Sequence, residues 1–158
     1  MTRVLITGIT GMAGSHLAEY IVQNHQHVEI YGAKRWRAVN NNVSHIEDQI
    51  NLIDCDLTDA NGVIELLKTA RPDFIFHLAA QSFVPDSWKH PQSTISDNLM
   101  MQLNLFEAIR LLEIDPVVQI ALSSEEYGRV YPHELPINEK NTFRPLNPYA
   151  VSKVAQDM

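Results

Sequence analysis

A chain of 158 residues with 45% hydrophobic content is long enough for one globular domain with a substantial core and too short for two. Its 12 Lys and Arg against 19 Asp and Glu leave a formal net charge of -7, which disfavours nucleic acid or any other polyanion as the main partner. Met1-Thr2-Arg3 leads straight into an apolar strand with no long hydrophobic stretch behind it, and the lone Cys55 has no disulfide partner within the chain. Neither a signal peptide nor a membrane span is therefore expected, and the expected compartment is a reducing one, most simply the cytoplasm.

Val4-Leu5-Ile6 is a short apolar run ending in Thr7-Gly8, and a helical pattern follows with Leu17, Tyr20 and Ile21 on one face. This reads as strand, glycine turn, helix. Residues 28–31, 50–53 and 74–76 read as the second, third and fourth strands, with Thr58-Asp59 capping a helix that runs through Leu67 between the last two. Leu99, Leu103, Phe106 and Ile109 recur at helical spacing within 95–112, and 117–122 then reads as a fifth strand. The apolar runs do not alternate, so burial on both faces is expected. Strands alternating with helices predict an α/β, Rossmann-type parallel sheet with helices on both faces and strand order 3-2-1-4-5. Residues 127–146, rich in Pro and charge, read as a loop over a site rather than a linker, so no domain boundary is expected.

The first turn carries Gly8-x-x-Gly11-x-x-Gly14. Gly8 permits a sharp exit from the strand, Gly11 lets the backbone approach a pyrophosphate, and Gly14 lets the helix pack closely, while the helix N-terminus attracts the anion. The spacing differs by one residue from the usual dinucleotide fingerprint, and its place directly after an apolar strand is what marks it as more than a glycine-rich turn. Where an NAD-specific protein puts an acid for the ribose 2′-hydroxyl, this chain has Lys34-Arg35-Trp36-Arg37. Cations there suit a 2′-phosphate, so NADP is expected in preference to NAD.

Near the other end stands Tyr149-x-x-x-Lys153. On a helix these positions share a face, so the ammonium can lie beside the phenol and favour its phenolate, giving an acid/base of the kind a hydroxyl substrate needs. Asn147-Pro148 reads as N-cap plus Pro at the first helical position, which puts the pair in the first turns. The spacing alone is equally that of an exposed tyrosine and a solvated lysine; the glycine turn is what favours the functional reading.

With both motifs in hand, the chain resembles the extended short-chain dehydrogenase/reductases that modify nucleotide sugars, over nearly the whole of their N-terminal half. Ile6-Thr7-Gly8-Ile9-Thr10-Gly11, Gly14-Ser15, Leu17-Ala18-Glu19, Gly32-Ala33-Lys34-Arg35, Asp56-Leu57-Thr58-Asp59 and His77-Leu78-Ala79-Ala80-Gln81-Ser82 are similar to the GDP-mannose 4,6-dehydratases. Met12-Ala13 departs from the Gln-Asp usual there. The stretch from Ser82 to Trp88 and Ser123-Ser124-Glu125-Glu126-Tyr127-Gly128 look more like the related GDP-4-keto-6-deoxy-mannose reductases. The resemblance implies cofactor contacts from Gly8, Thr10, Gly11, Met12, Ala13, Gly14, Lys34, Arg35, Leu78, Ala79, Ala80, Gln81, Tyr149 and Lys153. It also implies that Asp56 holds the adenine, with Leu57 packing nearby.

The resemblance implies the chemistry as well. Ser123 orients the sugar 4-hydroxyl and Tyr149, Glu125 removes the C5 proton, and Ser124 helps protonate the departing 6-hydroxyl, while Tyr149 deprotonates the 4-hydroxyl as NADP takes and later returns a hydride. In the reductase alternative Tyr149 donates a proton as NADPH reduces a 4-keto sugar, and a non-catalytic NADP-binding module is the alternative of another class. A GDP-sugar substrate and a homo-oligomer, dimer or tetramer, are implied as partners. Family members continue well beyond Lys153, so the chain is expected to be the N-terminal portion of a longer protein and inactive on its own. His77 and His133 have no suitably spaced Cys, His or acidic neighbours, so no metal site is expected.

Overall fold

Five parallel strands, β1 (Thr2–Thr7), β2 (Val28–Lys34), β3 (Asn51–Asp54), β4 (Phe74–His77) and β5 (Val117–Ile120), form one sheet in the order β3-β2-β1-β4-β5. That is the order the alternation of elements predicts. The computed structural model describes residues 1–158, and the chain divides into two compact units, residues 1–79 with 101–121 and residues 80–100 with 122–158.

The first unit holds the sheet, α1 (Met12–Asn24), α2 (Ala60–Ala70) and residues 101–111 of α4 (Pro91–Leu111). Along β1 the side chains alternate between two buried layers. Leu5 joins Tyr31, Ala33, Ile75, Leu66, Leu67 and Leu105 on the side of α2 and α4, while Val4 and Ile6 join Ile9, Ala18, Ile21 and Ile30 on the side of α1. Burial on both faces therefore holds for β1 and β2, as expected of crossover-connected parallel strands. It does not hold further out. Phe74 of β4 is 40% exposed, and in β5 alternate residues are exposed, with Val117 at 62%, so one face of each strand is left partly uncovered.

Two helical faces differ from the reading of the sequence. On α1 the buried positions are Gly14, Ser15, Ala18 and Ile21, whereas Tyr20 is 56% exposed. On α4 the apolar stripe is split: Leu103 and Phe106 are exposed and Ile109 packs against the core, while Gln102, Asn104, Leu105 and Ala108 are buried. Hydrogen bonding decides this orientation, since Asn104 Nδ2 donates to the Leu57 carbonyl at 3.0 Å, which an apolar residue could not do. Helix α2 is capped by Asp59, whose carboxylate accepts from Asn61 N, and it runs three residues beyond Leu67 to a left-handed Arg71, φ 41°. No helix is long and apolar enough to cross a membrane.

The second unit contains α3 (Val84–Lys89), residues 91–100 of α4, and α5 (Pro148–Asp157). At six residues α3 is too short to show a period, which is why the sequence gives no sign of it. Asn98, fully buried, ties this unit together. It accepts from Gln81 N at 2.7 Å, donates to the Gln81 carbonyl at 3.1 Å and to Ser152 Oγ at 2.9 Å, and its own carbonyl accepts from Gln156 Nε2. The long 127–146 segment contains only a 3-10 turn over Pro132–Glu134. It is held by Arg144, which donates to both oxygens of Glu134 at 2.6 and 2.9 Å and keeps that carboxyl down at about 2.

At the end of β1, Thr7 has every hydrogen-bonding capacity in use. Its Oγ1 accepts from Leu78 N and Ala79 N, both at 3.2 Å, so its own proton goes to His77 Nδ1 at 2.9 Å, with the histidine proton on Nε2. Thr7→Val keeps the shape and deletes the hydroxyl, leaving two amides and a ring nitrogen unserved. We expect a loss of about 1 to 3 kcal/mol, measured as a lower urea midpoint at unchanged slope. A loss under about 0.5 kcal/mol would show that these groups find other partners.

Candidate functional site

In the first unit the glycine turn is built by close backbone approach. Gly8 has φ +70°, and its N–H donates to the Ala33 carbonyl at 3.2 Å. A Cβ at Gly14 would collide with the Gly8 carbonyl oxygen and lie 2.8 Å from Ile9 Cα, so this glycine lets α1 press on the turn itself rather than on a strand. Gly11 is the N-cap of α1, and no side chain caps the helix; Met12 and Ala13 are exposed, and the first turn carries no acid. These uncapped N–H groups suit a phosphate anion. Thr10 offers its backbone here, its carbonyl accepting from Asn42 Nδ2. Leu78 and Ala79 sit against Gly8, with Ala79 N and Cα 3.0 Å from where a Gly8 Cβ would be, but their amides are spent on Thr7.

A pocket of about 300 Å³ opens at the carboxyl ends of β2 and β3, lined by Arg35, Trp36, Asp54, Cys55 and Asp56. The predicted cations do not all reach it. Lys34 is ion-paired with Asp54, which leaves Arg35 as the cation in the lining, and Arg37 stands outside. Asp56 Oδ1 accepts from Thr58 N at 2.9 Å and Thr58 Oγ1 at 2.7 Å, and these bonds hold its carboxyl below the usual range. Leu57 is 5% exposed and packs in the core with Cys55 and Val63, so its side chain supports the pocket rather than lining it. A guanidinium, an ionised carboxylate and an uncapped helix N-terminus in one unit fit an adenine dinucleotide.

The second unit holds the residues expected to form the acid/base set. Asn147 caps α5, its Oδ1 accepting from Ala150 N at 2.8 Å, with Pro148 next. Tyr149 and Lys153 lie one turn apart, the Lys153 Nζ 5.9 Å from the centre of the Tyr149 ring. Residues Ser124–Glu126 form a 3-10 turn in which Ser123 Oγ accepts from Glu125 N at 3.2 Å and Glu126 Oε1 accepts from Ser123 N at 2.8 Å. Ser123 Oγ thus serves the turn, and no hydrogen bond joins it to Tyr149. Asn147 Nδ2 donates to Glu125 Oε2 at 2.6 Å, so the residue that starts α5 also aims the exposed Glu125 carboxylate. Ser124 is exposed beside it.

Gln81 is committed to its own unit. Its side chain donates to Asp86 Oδ2 and accepts from Phe83 N, while its main chain pairs with Asn98; Ala80 precedes it half-buried. Asn98 and the second role of Asn147 leave no motif or spacing in the sequence, because their partners are set by the tertiary structure, and Glu126 leaves only the Ser123-x-x-Glu126 spacing of a capping box. Glu126 is 4% exposed, and burial raises its carboxyl above the ordinary value. Burial lowers the Lys153 ammonium, against an opposing pull from Glu126. His77 is buried on Thr7, His133 stacks on the Tyr131 ring, and no three His, Cys, Asp or Glu are grouped to hold a metal ion.

A parallel 3-2-1-4-5 sheet with a glycine turn after β1, and a Ser, Tyr and Lys set around the start of α5, define a domain of the short-chain dehydrogenase/reductase class. The family model described as GDP-mannose 4,6 dehydratase matches residues 5–158, and the chain belongs to that family. It is 37% identical to the GDP-mannose 4,6-dehydratase of Yersinia enterocolitica over 98% of this chain and 43% of that protein. It is 31% identical to the GDP-6-deoxy-D-mannose reductase of Pseudomonas aeruginosa over 98% of this chain and 45% of that one. The structure of RMD from Pseudomonas aeruginosa complexed with NADPH superposes with a TM-score of 0.76 at 29% identity, covering 99% of this chain and 46% of that chain. The chain thus spans a little under half the length of these relatives.

A buried carboxyl with a raised pKa stabilises the fold most when protonated. That contribution is full below the ordinary 4.5 and is lost as pH rises through the folded value. Glu126→Gln keeps an oxygen for Ser123 N and cannot ionise. Its urea midpoint relative to the parent should therefore climb between about pH 4 and pH 7. A constant difference across that range would show that Glu126 titrates as it does in the unfolded chain.

Proposed function

We propose that these residues are the NADP-binding domain, 1–158, of a longer nucleotide-sugar 4,6-dehydratase, a lyase that converts GDP-mannose to its 4-keto-6-deoxy product in the cytoplasm. The observation that carries this reading is the Glu125 carboxylate, exposed and aimed by Asn147 from the residue that begins the Tyr149 helix. Dehydration needs a base at C5 in addition to the base at O4, and a carboxylate held on the turn that carries Ser123 and Ser124 supplies it. Family membership and the dehydratase relatives support the same choice.

Tyr149, with Lys153 beside it, takes the proton of the 4-hydroxyl, and Ser123 orients that hydroxyl. When bound, NADP would supply a hydride carrier between C4 and C6. Glu125 removes the C5 proton and Ser124 helps protonate the leaving 6-hydroxyl, so that water is lost across C5 and C6; Glu125 then returns a proton to C5 as C6 is reduced. Arg35 would pair with the 2′-phosphate, Asp56 would receive the adenine amino group, and the Gly8–Gly14 turn with Met12 and Ala13 would take the pyrophosphate. Leu103, Phe106 and Val151, exposed at 44%, 41% and 41%, offer α4 and α5 to a second copy in a homo-oligomer. Because the chain covers 43% of the Yersinia relative, the 158 residues alone should bind cofactor and turn over little.

The second reading is a reductase of the 4-keto sugar, favoured by the Pseudomonas relative. In the full-length protein, Glu125→Gln should abolish conversion of GDP-mannose while leaving cofactor binding intact, and the parent should place solvent deuterium at C5. Full conversion of GDP-mannose by Glu125→Gln would overturn Glu125 as the C5 base, and reaction only of the 4-keto sugar with stoichiometric NADPH would replace the dehydratase with the reductase. A parent inert in both assays would mark a binding module. The cofactor is tested separately by calorimetry: Arg35→Ala should cut the preference for NADP over NAD by about tenfold or more, since a charge-assisted contact is worth roughly 1.5 to 3 kcal/mol. Equal affinities for both cofactors in the parent would refute the assignment of NADP.

A further inference from the structure

We propose that Trp36 is the surface on which the adenine ring stacks in the pocket at the ends of β2 and β3. This inference rests on the NADP reading above and adds to it a residue that neither the glycine turn nor the basic cluster singles out.

Trp36 is 73% exposed, although a tryptophan is usually largely buried. The backbone holds it out. Ala38 N donates to the Arg35 carbonyl at 2.9 Å, closing a four-residue turn with Trp36 second, and Arg37 third at φ +59°. A left-handed arginine is uncommon, so the turn that presents the indole is kept at some cost in backbone strain. Cys55 N donates to the Lys34 carbonyl at 2.8 Å and fixes the opposite wall.

The rest of the lining says what the ring would meet. Asp54 is neutralised by Lys34 and drops out as a recognition group. Cys55 is buried, with its thiol pushed up to about 11, so it stays protonated and uncharged at the bottom of the pocket. That leaves one guanidinium, one carboxylate whose Oδ1 is taken up by Thr58, and one indole face. A ligand serving all three has a flat π-face, an amino donor for Asp56 and an anion for Arg35. A purine nucleoside with a ribose phosphate has that set. An aliphatic ligand would leave both charges unserved, and a simple phosphate would leave the indole bare.

Trp36 and Trp88 are the two tryptophans of the chain, and Trp88 is itself exposed. In a Trp88→Phe background, emission therefore reports Trp36 alone. Saturable quenching by 2′,5′-ADP, with none by nicotinamide mononucleotide, is expected. By calorimetry Trp36→Ala should weaken 2′,5′-ADP about tenfold, and Trp36→Phe should restore it to within about threefold, in line with aromatic stacking on a base. Circular dichroism and the urea midpoint of each variant should match the parent, because the side chain lies outside the core. Undiminished affinity in Trp36→Ala, with NADPH still bound, would overturn the stacking role and leave the NADP reading standing. So would an affinity in Trp36→Phe as low as in Trp36→Ala. Failure of the parent to bind either 2′,5′-ADP or NADPH would overturn both.

Discussion

The hydroxyl of Thr7 is the constraint on which much of the first unit depends. One oxygen accepts from two successive amides after β4 and donates to the ring of His77. The chain leaving β4 is thereby bent onto the end of β1, and Ala79 lies where only a glycine could face it, at Gly8. The glycine turn, the uncapped start of α1 and the Leu78–Ala79 stretch follow from this arrangement. A serine would supply the same oxygen, but threonine's branched side chain also suits the strand that leads there.

The architecture was legible because it rests on repetition. Apolar runs separated by helical patterns specify a parallel sheet, and the glycine turn says which strand is central, so the order β3-β2-β1-β4-β5 could be read without coordinates. The helix start at Asn147-Pro148 was legible for a different reason: a cap is a local hydrogen bond between residues three apart. The orientation of α4 was not. A stripe of Leu99, Leu103, Phe106 and Ile109 points to a core by its spacing, yet the interior accepted Asn98 and Asn104 because backbone carbonyls and amides there needed partners. Demand for hydrogen bonds belongs to the tertiary structure and leaves no periodic trace. The charges behaved likewise, since Lys34 reads as a free cation until β3 brings Asp54 to it.

Electrostatics in the second unit work against solvation. Glu126 and Lys153 are both buried, and burial pushes the carboxyl up and the ammonium down, each towards its neutral form. Each moderates the other, and Asp157 opposes Glu126 by like charge. Groups so placed stabilise a fold poorly. What they do provide is order: Glu126 secures the amide of Ser123, which keeps the 3-10 turn closed and fixes where Ser124 and Glu125 emerge.

The pairing of Lys34 with Asp54 makes the charge that faces the pocket depend on β3 as well as on β2. With that lysine engaged, a single guanidinium faces the pocket. Replacing Asp54 by a neutral residue would release a second cation at the same rim without altering β2. Replacing Arg35 would leave none. The positive charge at this rim is thus graded rather than switched, and divergence along β3 can retune it while the recognised motif at the end of β2 stays letter for letter the same.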